Sequence, residues 1–141
     1  MFNRILMALK FGAASEFALV KGVELARVHD AVLHIFHALD YTLNELEEDD
    51  PKRVRVIEDA QKQYDSRIKP LLVDFEKASF TCLPADPALT TCKMAREMNA
   101  DLIILGCHQL PEKMCLGRVD YVGMTILEKA PCPVMLVPLC E

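Results

Sequence analysis

Three observations in the sequence predict an α/β fold: a doubly wound, mainly parallel five-stranded sheet with helices on both faces. Short apolar runs alternate with segments of helical periodicity along the whole chain. Most of these runs are short and carry apolar residues on both faces, which is typical of parallel strands covered on both sides. The chain has 141 residues, 52% of them hydrophobic, which is enough for one domain with a genuine core. We therefore expect a single domain over residues 1–141.

Residues 1–83 predict three strands and two helices. The strands are the apolar runs 4–9, 31–38 and 79–83. The first helix covers 15–28 with small residues along one stripe, and the second covers 54–75 with apolar residues at helical spacing. Pro70 lies inside the second helix and should kink it or end it early. The acidic run at 45–50 predicts a solvated loop, to which we assign no function.

The rest of the chain predicts two more helices and two more strands. Asp86 and Pro87 form a helix-start pair, in which the aspartate caps the helix and the proline is its first residue. That helix should end near residue 98. The remaining elements are a strand at 101–105, a helix at 119–129 that Pro131 and Pro133 stop, and a last strand at 134–138.

Charge and hydropathy argue against two kinds of partner. The net charge of −5 gives no basis for nucleic-acid binding, which needs a basic face. No apolar run approaches the roughly 20 residues that span a bilayer, so we expect no membrane partner. The N-terminal residues imitate a secretory leader, but Lys10 interrupts their apolar stretch. We interpret this segment as the first strand and expect a cytoplasmic protein.

The six cysteines all lie between residues 82 and 140, and no Cys-x-x-Cys motif occurs. A chain of this length does not need disulfides for stability, so we expect reduced thiols. Cys107, His108 and Cys115 approach the composition of a metal site, but their spacing matches no standard zinc pattern. A thiol or metal protein using Cys107 and Cys115 stays an alternative. His34 and His37 lie three apart in a strand, so they point to opposite faces and cannot share a metal.

Six segments resemble the universal stress protein family in order and spacing, over essentially the whole chain. They are RILMALK near the N-terminus, SEFAL, LHIFHALD, ADPALTT, NADLIILGCHQ and, near the C-terminus, APCPVMLVP. The resemblance implies a five-stranded parallel sheet in the order 3-2-1-4-5 and a role in stress response through binding or interaction. No catalytic motif is visible in the sequence, so we do not expect an enzyme.

The nucleotide-binding branch of that family carries a loop signature: Gly, two residues, Gly, nine residues, and Gly followed by Ser or Thr. Gly106 and Gly117 match its first and last glycines, but Gln109 stands in place of the middle one. Arg118 replaces the hydroxyl residue, and Lys10 replaces an aspartate that normally ends the first strand. The segment Gly-Cys-His-Gln instead resembles the universal stress protein A branch, whose members lack the signature. We therefore expect no ATP binding in the usual way; ATP or AMP binding in a modified pocket stays the alternative.

In a doubly wound sheet, ligands bind beyond the carboxyl ends of the strands, where the strand order reverses. Our hypothesis is a small anionic ligand held there by Lys10, His108 and Arg118, together with the N-terminal dipole of the last helix. The alternative is that Lys10 and Arg118 face solvent or pair with acids such as Asp40 or Asp120. The candidate ligand-binding residues are Ala8, Lys10, Ala38, Gly106, His108, Gln109, Gly117, Arg118 and Val119.

The last strand is apolar and lies at an edge of the sheet in the implied order. An exposed apolar edge promotes aggregation unless it is covered. In the family this strand commonly pairs with its copy in a second subunit, so the resemblance implies a homodimer. The residues of the predicted dimer edge are Val134, Met135, Leu136, Val137 and Pro138.

Overall fold

The computed structural model describes residues 1–109 and 120–140, and the side chains of these residues apart from 108, 109 and 140. The strands are β1 (Arg4–Ala8), β2 (Val32–Leu39), β3 (Ala78–Pro84), β4 (Leu102–Gln109) and β5 (Val134–Cys140). The helices are α1 (Ala13–His29), α2 (Pro51–Gln63), α3 (Pro87–Glu97) and α4 (Tyr121–Lys129). The strands form one parallel sheet in the order β3-β2-β1-β4-β5. The predicted fold class and strand order are confirmed.

Helices cover both faces of the sheet and create two apolar cores. Side chains alternate between the faces along each strand. In β1, Ile5 packs towards α1, whereas Leu6 packs towards α3 and α4. The small residues Ala18 and Ala26 of α1 are fully buried, so the predicted stripe does let this helix lie close to the strands.

The long helix predicted over residues 54–75 is not one helix. The α-helical part ends at Gln63, a π-helical turn follows over Tyr64–Ile68, and a 3₁₀ turn covers Lys69–Leu72. Pro70 explains the change, because it has no N–H to donate and its ring would clash with the carbonyl group four residues earlier. The widened turn still buries Tyr64, whose ring stacks on Phe80 with 4.0 Å between centroids.

The acidic run at 45–50 has a structural role that the sequence analysis missed. A 3₁₀ turn covers Tyr41–Glu45, and α2 begins at Pro51, three residues before its predicted start. The Asp50 carboxylate accepts a 2.9 Å hydrogen bond from the Lys52 N–H and caps this helix. The sequence carries the signal, because Asp50-Pro51 is the same pair as Asp86-Pro87.

β4 is longer than its predicted span of 101–105. It continues to Gln109 because β5 also continues, and Gln109 lies opposite Cys140 in the register. Gly106, His108 and Gln109 therefore belong to a strand, whereas the sequence analysis placed them in a loop after it. Among the described residues, no helix has both the length and the apolar character needed to cross a membrane.

Candidate ligand site at the carboxyl ends of the strands

A cavity of about 320 Å³ lies at the carboxyl ends of β1, β2 and β4. The strand order reverses at β1, which has β2 on one side and β4 on the other. Crevices at such a reversal are the usual ligand sites of doubly wound sheets. Four of the candidate residues line the cavity, namely Ala8, Lys10, Ala38 and Gly106.

The other candidates are not placed at the cavity by the structure. His108 and Gln109 lie in β4, but their side chains are outside the described part, and Gly117, Arg118 and Val119 lie outside it altogether. Several lining residues were missed by the sequence analysis. One of them, Phe36, could have been predicted from the sequence. It precedes the candidate residue Ala38 by two positions in β2, so both side chains lie on the same face of the sheet. The missed lining side chains include Phe36, Thr91, Leu105, Val122 and Leu136.

Gly106 is required where β4 meets the start of α1. A Cβ atom at this position would lie 2.5 Å from the Ala14 carbonyl oxygen and 3.0 Å from the Ser15 backbone nitrogen. Backbone atoms cannot move aside as easily as the end of a side chain. This glycine, which the sequence analysis matched to a phosphate-binding signature, therefore has a packing role of its own.

Lys10 and Asp120 form an ion pair at the cavity. The Lys10 Nζ lies 2.6 Å from Asp120 Oδ2, and both side chains are more than half exposed. Asp120 is also the N-cap of α4, because its Oδ1 accepts a 2.7 Å hydrogen bond from the Gly123 N–H. One carboxylate thus binds both the cation and the helix N-terminus. For Lys10, the structure shows the pairing that the sequence analysis named as the alternative to ligand binding.

These contacts keep Asp120 ionised. Its partial burial acts to raise the pKa, but the hydrogen bonds from Lys10 and from the Gly123 N–H outweigh burial. The pKa of Asp120 therefore lies below its ordinary value of 3.8, and the group is a carboxylate at neutral pH.

Internal hydrogen bonds fix the segment between β1 and α1, which forms one wall of the cavity. The Lys10 N–H donates to Ser15 Oγ over 3.0 Å. His37 Nδ1 lies 2.7 Å from the Leu9 carbonyl oxygen, so this nitrogen must carry the proton. The His37 ring also packs against Phe11, with 4.5 Å between centroids. His37 thus acts as a structural histidine at the end of the sheet.

The two histidines of β2 have separate environments. His34 Nδ1 lies 2.6 Å from Ser79 Oγ, and burial lowers the pKa of His34. His34 lies opposite Ser79 in the register between β2 and β3. This pair lies towards the starts of the strands, away from the cavity.

Cys107 lines the cavity as a free thiol, and Cys82, Cys92 and Cys132 are also free. Cys115, its proposed partner in a thiol or metal site, lies outside the described residues. Within residues 1–109 and 120–140, no group of three or more His, Cys, Asp or Glu side chains has metal-binding geometry.

The doubly wound sheet and the cavity at its strand reversal define a class of α/β proteins with nucleotide-binding-like architecture. Within that class, the model of the universal stress protein family matches residues 1–138. The chain belongs to the universal stress protein family.

Individual relatives agree with this assignment. Universal stress protein Sll1654 of Synechocystis is 39% identical over 51 residues, which are 36% of this chain and 32% of that protein. A family member from Burkholderia pseudomallei has a TM-score of 0.69 at 22% identity, covering 98% of this chain and 97% of its own. The Archaeoglobus fulgidus universal stress protein, solved in complex with dAMP, has a TM-score of 0.70 at 16% identity, covering 97% and 98%. The solved structures, at these identities, show a shared fold.

Proposed function

We propose that this protein is a cytoplasmic stress-response binding protein that acts without catalysis, and that its cavity does not bind ATP in the usual way. The observation that carries the second part is the position of Asp120. Its carboxylate binds Lys10 and the N-terminus of α4, and these are the groups that a phosphate would use.

An incoming phosphate would have to displace this carboxylate or lie beside it. Displacement breaks a hydrogen bond of 2.6 Å to Lys10 and one of 2.7 Å to the Gly123 N–H. Approach without displacement places two negative charges together, which is unfavourable in a partly buried site. Either route reduces the gain that the cation and the helix dipole would give to ATP.

The sequence supports the same conclusion independently of these contacts. Gln109 replaces the middle glycine of the nucleotide signature, and a residue with a Cβ limits close approach of the backbone to a phosphate. Arg118 replaces the hydroxyl residue, and the signature is two residues shorter than in the nucleotide-binding branch.

A modified nucleotide pocket is the second candidate function. The cavity lies at the strand reversal, and the related Archaeoglobus fulgidus protein was solved in complex with dAMP. A monophosphate carries fewer charges past Asp120 than a triphosphate does. Under this alternative, the protein would bind AMP and reject ATP.

Isothermal titration of the purified protein with ATP and Mg²⁺, and separately with AMP, tests the proposal. We expect no saturable heat with ATP. Saturable binding of ATP at one site per chain would contradict the proposal, whereas binding of AMP alone would favour the second candidate. Circular dichroism of the same sample verifies that the protein is folded during the titration.

We also propose a homodimer through β5. The Ile103 N–H donates to the Pro133 carbonyl oxygen, and backbone groups alternate in direction along a strand. Val134 and Leu136 therefore direct their N–H groups to the open side of β5, as donors for a second copy. Pro138 falls on the same side and has no N–H, which fits an edge strand and limits pairing to the residues before it.

A further inference from the structure

We propose that the cavity binds an uncharged, largely apolar small molecule, and that Asp120 is the residue that excludes phosphate-bearing ligands from it. This inference rests on the proposed function, because it names the ligand class of the same site. Rejection of anions then depends on the Asp120 carboxylate, and Asp120 can be replaced by asparagine without removing the helix cap.

The wall of the cavity is suited to an apolar ligand. Phe36 and Leu105 are buried core residues whose side chains also line the cavity, and Val122 and Leu136 join them. A volume of about 320 Å³ is at the lower end of the range for small-molecule sites. Apolar side chains at such a wall favour an apolar ligand, because a polar or charged ligand would lose hydrogen bonds to water on entry.

The two hydroxyl side chains of the described lining, Ser15 and Thr91, have hydrogen-bond partners within the protein. The Thr91 hydroxyl donates to the Pro87 carbonyl oxygen over 2.6 Å, and Thr91 is only 1% exposed. Ser15 Oγ accepts from the Lys10 N–H. Because these groups already have partners, they give a polar ligand little compensation for its lost hydration.

The charged groups of the lining neutralise each other. Lys10 contributes a positive charge and Asp120 a negative one, joined at 2.6 Å. An anion therefore meets no net positive charge from this pair. The substitution Asp120→Asn removes the negative charge while its amide oxygen retains the ability to cap the Gly123 N–H. Lys10 would then be available to an anionic ligand.

Two fluorescent probes with closely related aromatic skeletons test this inference. N-phenyl-1-naphthylamine is neutral, whereas 8-anilinonaphthalene-1-sulfonate carries one negative charge. We expect the wild-type protein to bind the neutral probe more tightly, with amide shifts in NMR spectra concentrated at Lys10, Gly106 and Gly123. In Asp120→Asn, affinity for the sulfonate should rise by about fivefold, since exposed ion-pair energies convert to factors of this size. Affinity for the neutral probe should change much less, because this probe has no charge for the released Lys10 to attract.

The matched control is Asp30→Asn. Asp30 pairs with Lys77 at 2.7 Å in another exposed ion pair, so the substitution makes the same charge change elsewhere. It should leave both probe affinities unchanged. Adding Lys10→Met to Asp120→Asn should abolish the gain for the sulfonate, because the released cation is then absent.

Three results would overturn the inference. They are equal binding of both probes by the wild type, an unchanged sulfonate affinity in Asp120→Asn, and probe-induced shifts away from the cavity. Each is distinct from failure of the proposed function, which is ATP binding by the wild type. If Asp120→Asn gains nothing while the wild type still rejects ATP, the inference falls and the proposed function stands.

Discussion

For the single residues Gly106 and Lys10, the sequence predicts their location in the fold but not their contacts. The sequence identifies both as members of the crevice, and the structure places both at the cavity. The packing role of Gly106 depends on how closely β4 approaches Ala14, which is a tertiary distance that no local pattern encodes. The sequence suggested Asp40 and Asp120 only as examples of acids that could pair with Lys10, and the fold selects Asp120.

Replacing Gly106 by alanine should destabilise the protein by about 1–3 kcal/mol, the usual cost of overpacking a rigid site. The new Cβ would lie 2.5 Å from the Ala14 carbonyl oxygen. Urea unfolding followed by circular dichroism measures the change. Gly22→Ala is the matched control, because its Cβ would meet the movable end of the Ile104 side chain at 3.2 Å. Equal losses in the two variants would argue against the backbone contact as the cause.

The stability contributed by Asp120 should depend on pH. Its folded-state pKa is lowered, so its carboxylate stabilises the fold fully above the unfolded-state pKa, near 3.8. This contribution is lost as the pH falls through the folded-state pKa. Wild type should therefore be more stable than Asp120→Asn at pH 7, and the difference should shrink as the pH falls below the ordinary value of 3.8. Urea unfolding of both proteins across this range gives the comparison, and a constant difference would refute it.

At the scale of elements, the sequence predicts which segments form helices better than where those helices begin and end. The Asp86-Pro87 start is confirmed, with Asp86 Oδ1 accepting from the Leu89 N–H at 2.9 Å. The same pair at Asp50 was overlooked because the surrounding acidic residues suggested a loop. The π-helical turn after Gln63 was not predicted, because helical spacing of apolar residues persists through a turn that is merely widened.

The substitution Asp86→Ala should destabilise the protein by about 1 kcal/mol, because α3 loses the acceptor for its Leu89 N–H. Asp86→Asn should remain close to the wild type, since an amide oxygen caps as well as a carboxylate. Thermal unfolding of the three proteins at equal concentration gives the ranking. A large loss in Asp86→Asn would mean that the charge, rather than the cap, stabilises this helix start.

At the scale of the whole molecule, the sequence predicts the sheet class from the alternation of elements. The strand order came from the family resemblance, because several orders are compatible with the same alternation. In this order β5 is an edge strand, and β4 is its single neighbour among the described strands. Met135 on this strand is a partly exposed apolar residue, and it adds to the reasons to expect a covered edge.

Met135→Lys should shift the proposed dimer towards a monomer of 15.9 kDa, because a charge on an edge strand opposes pairing with a second copy. Val28→Lys introduces the same charge at an exposed apolar position on α1 and should leave the assembly unchanged. Light scattering coupled to gel filtration measures both masses. A wild-type protein that already runs at the monomer mass would sink the dimer proposal itself.

The ion pair between Lys10 and Asp120 joins residues that are 110 positions apart in the chain. The cavity beside it is therefore complete only when β4 has paired with β1 and α4 has packed against the sheet. A molecule that binds there, and not to the unfolded chain, raises the unfolding free energy by an amount set by its concentration relative to its Kd. The melting temperature should then rise with the concentration of any molecule that binds in the cavity.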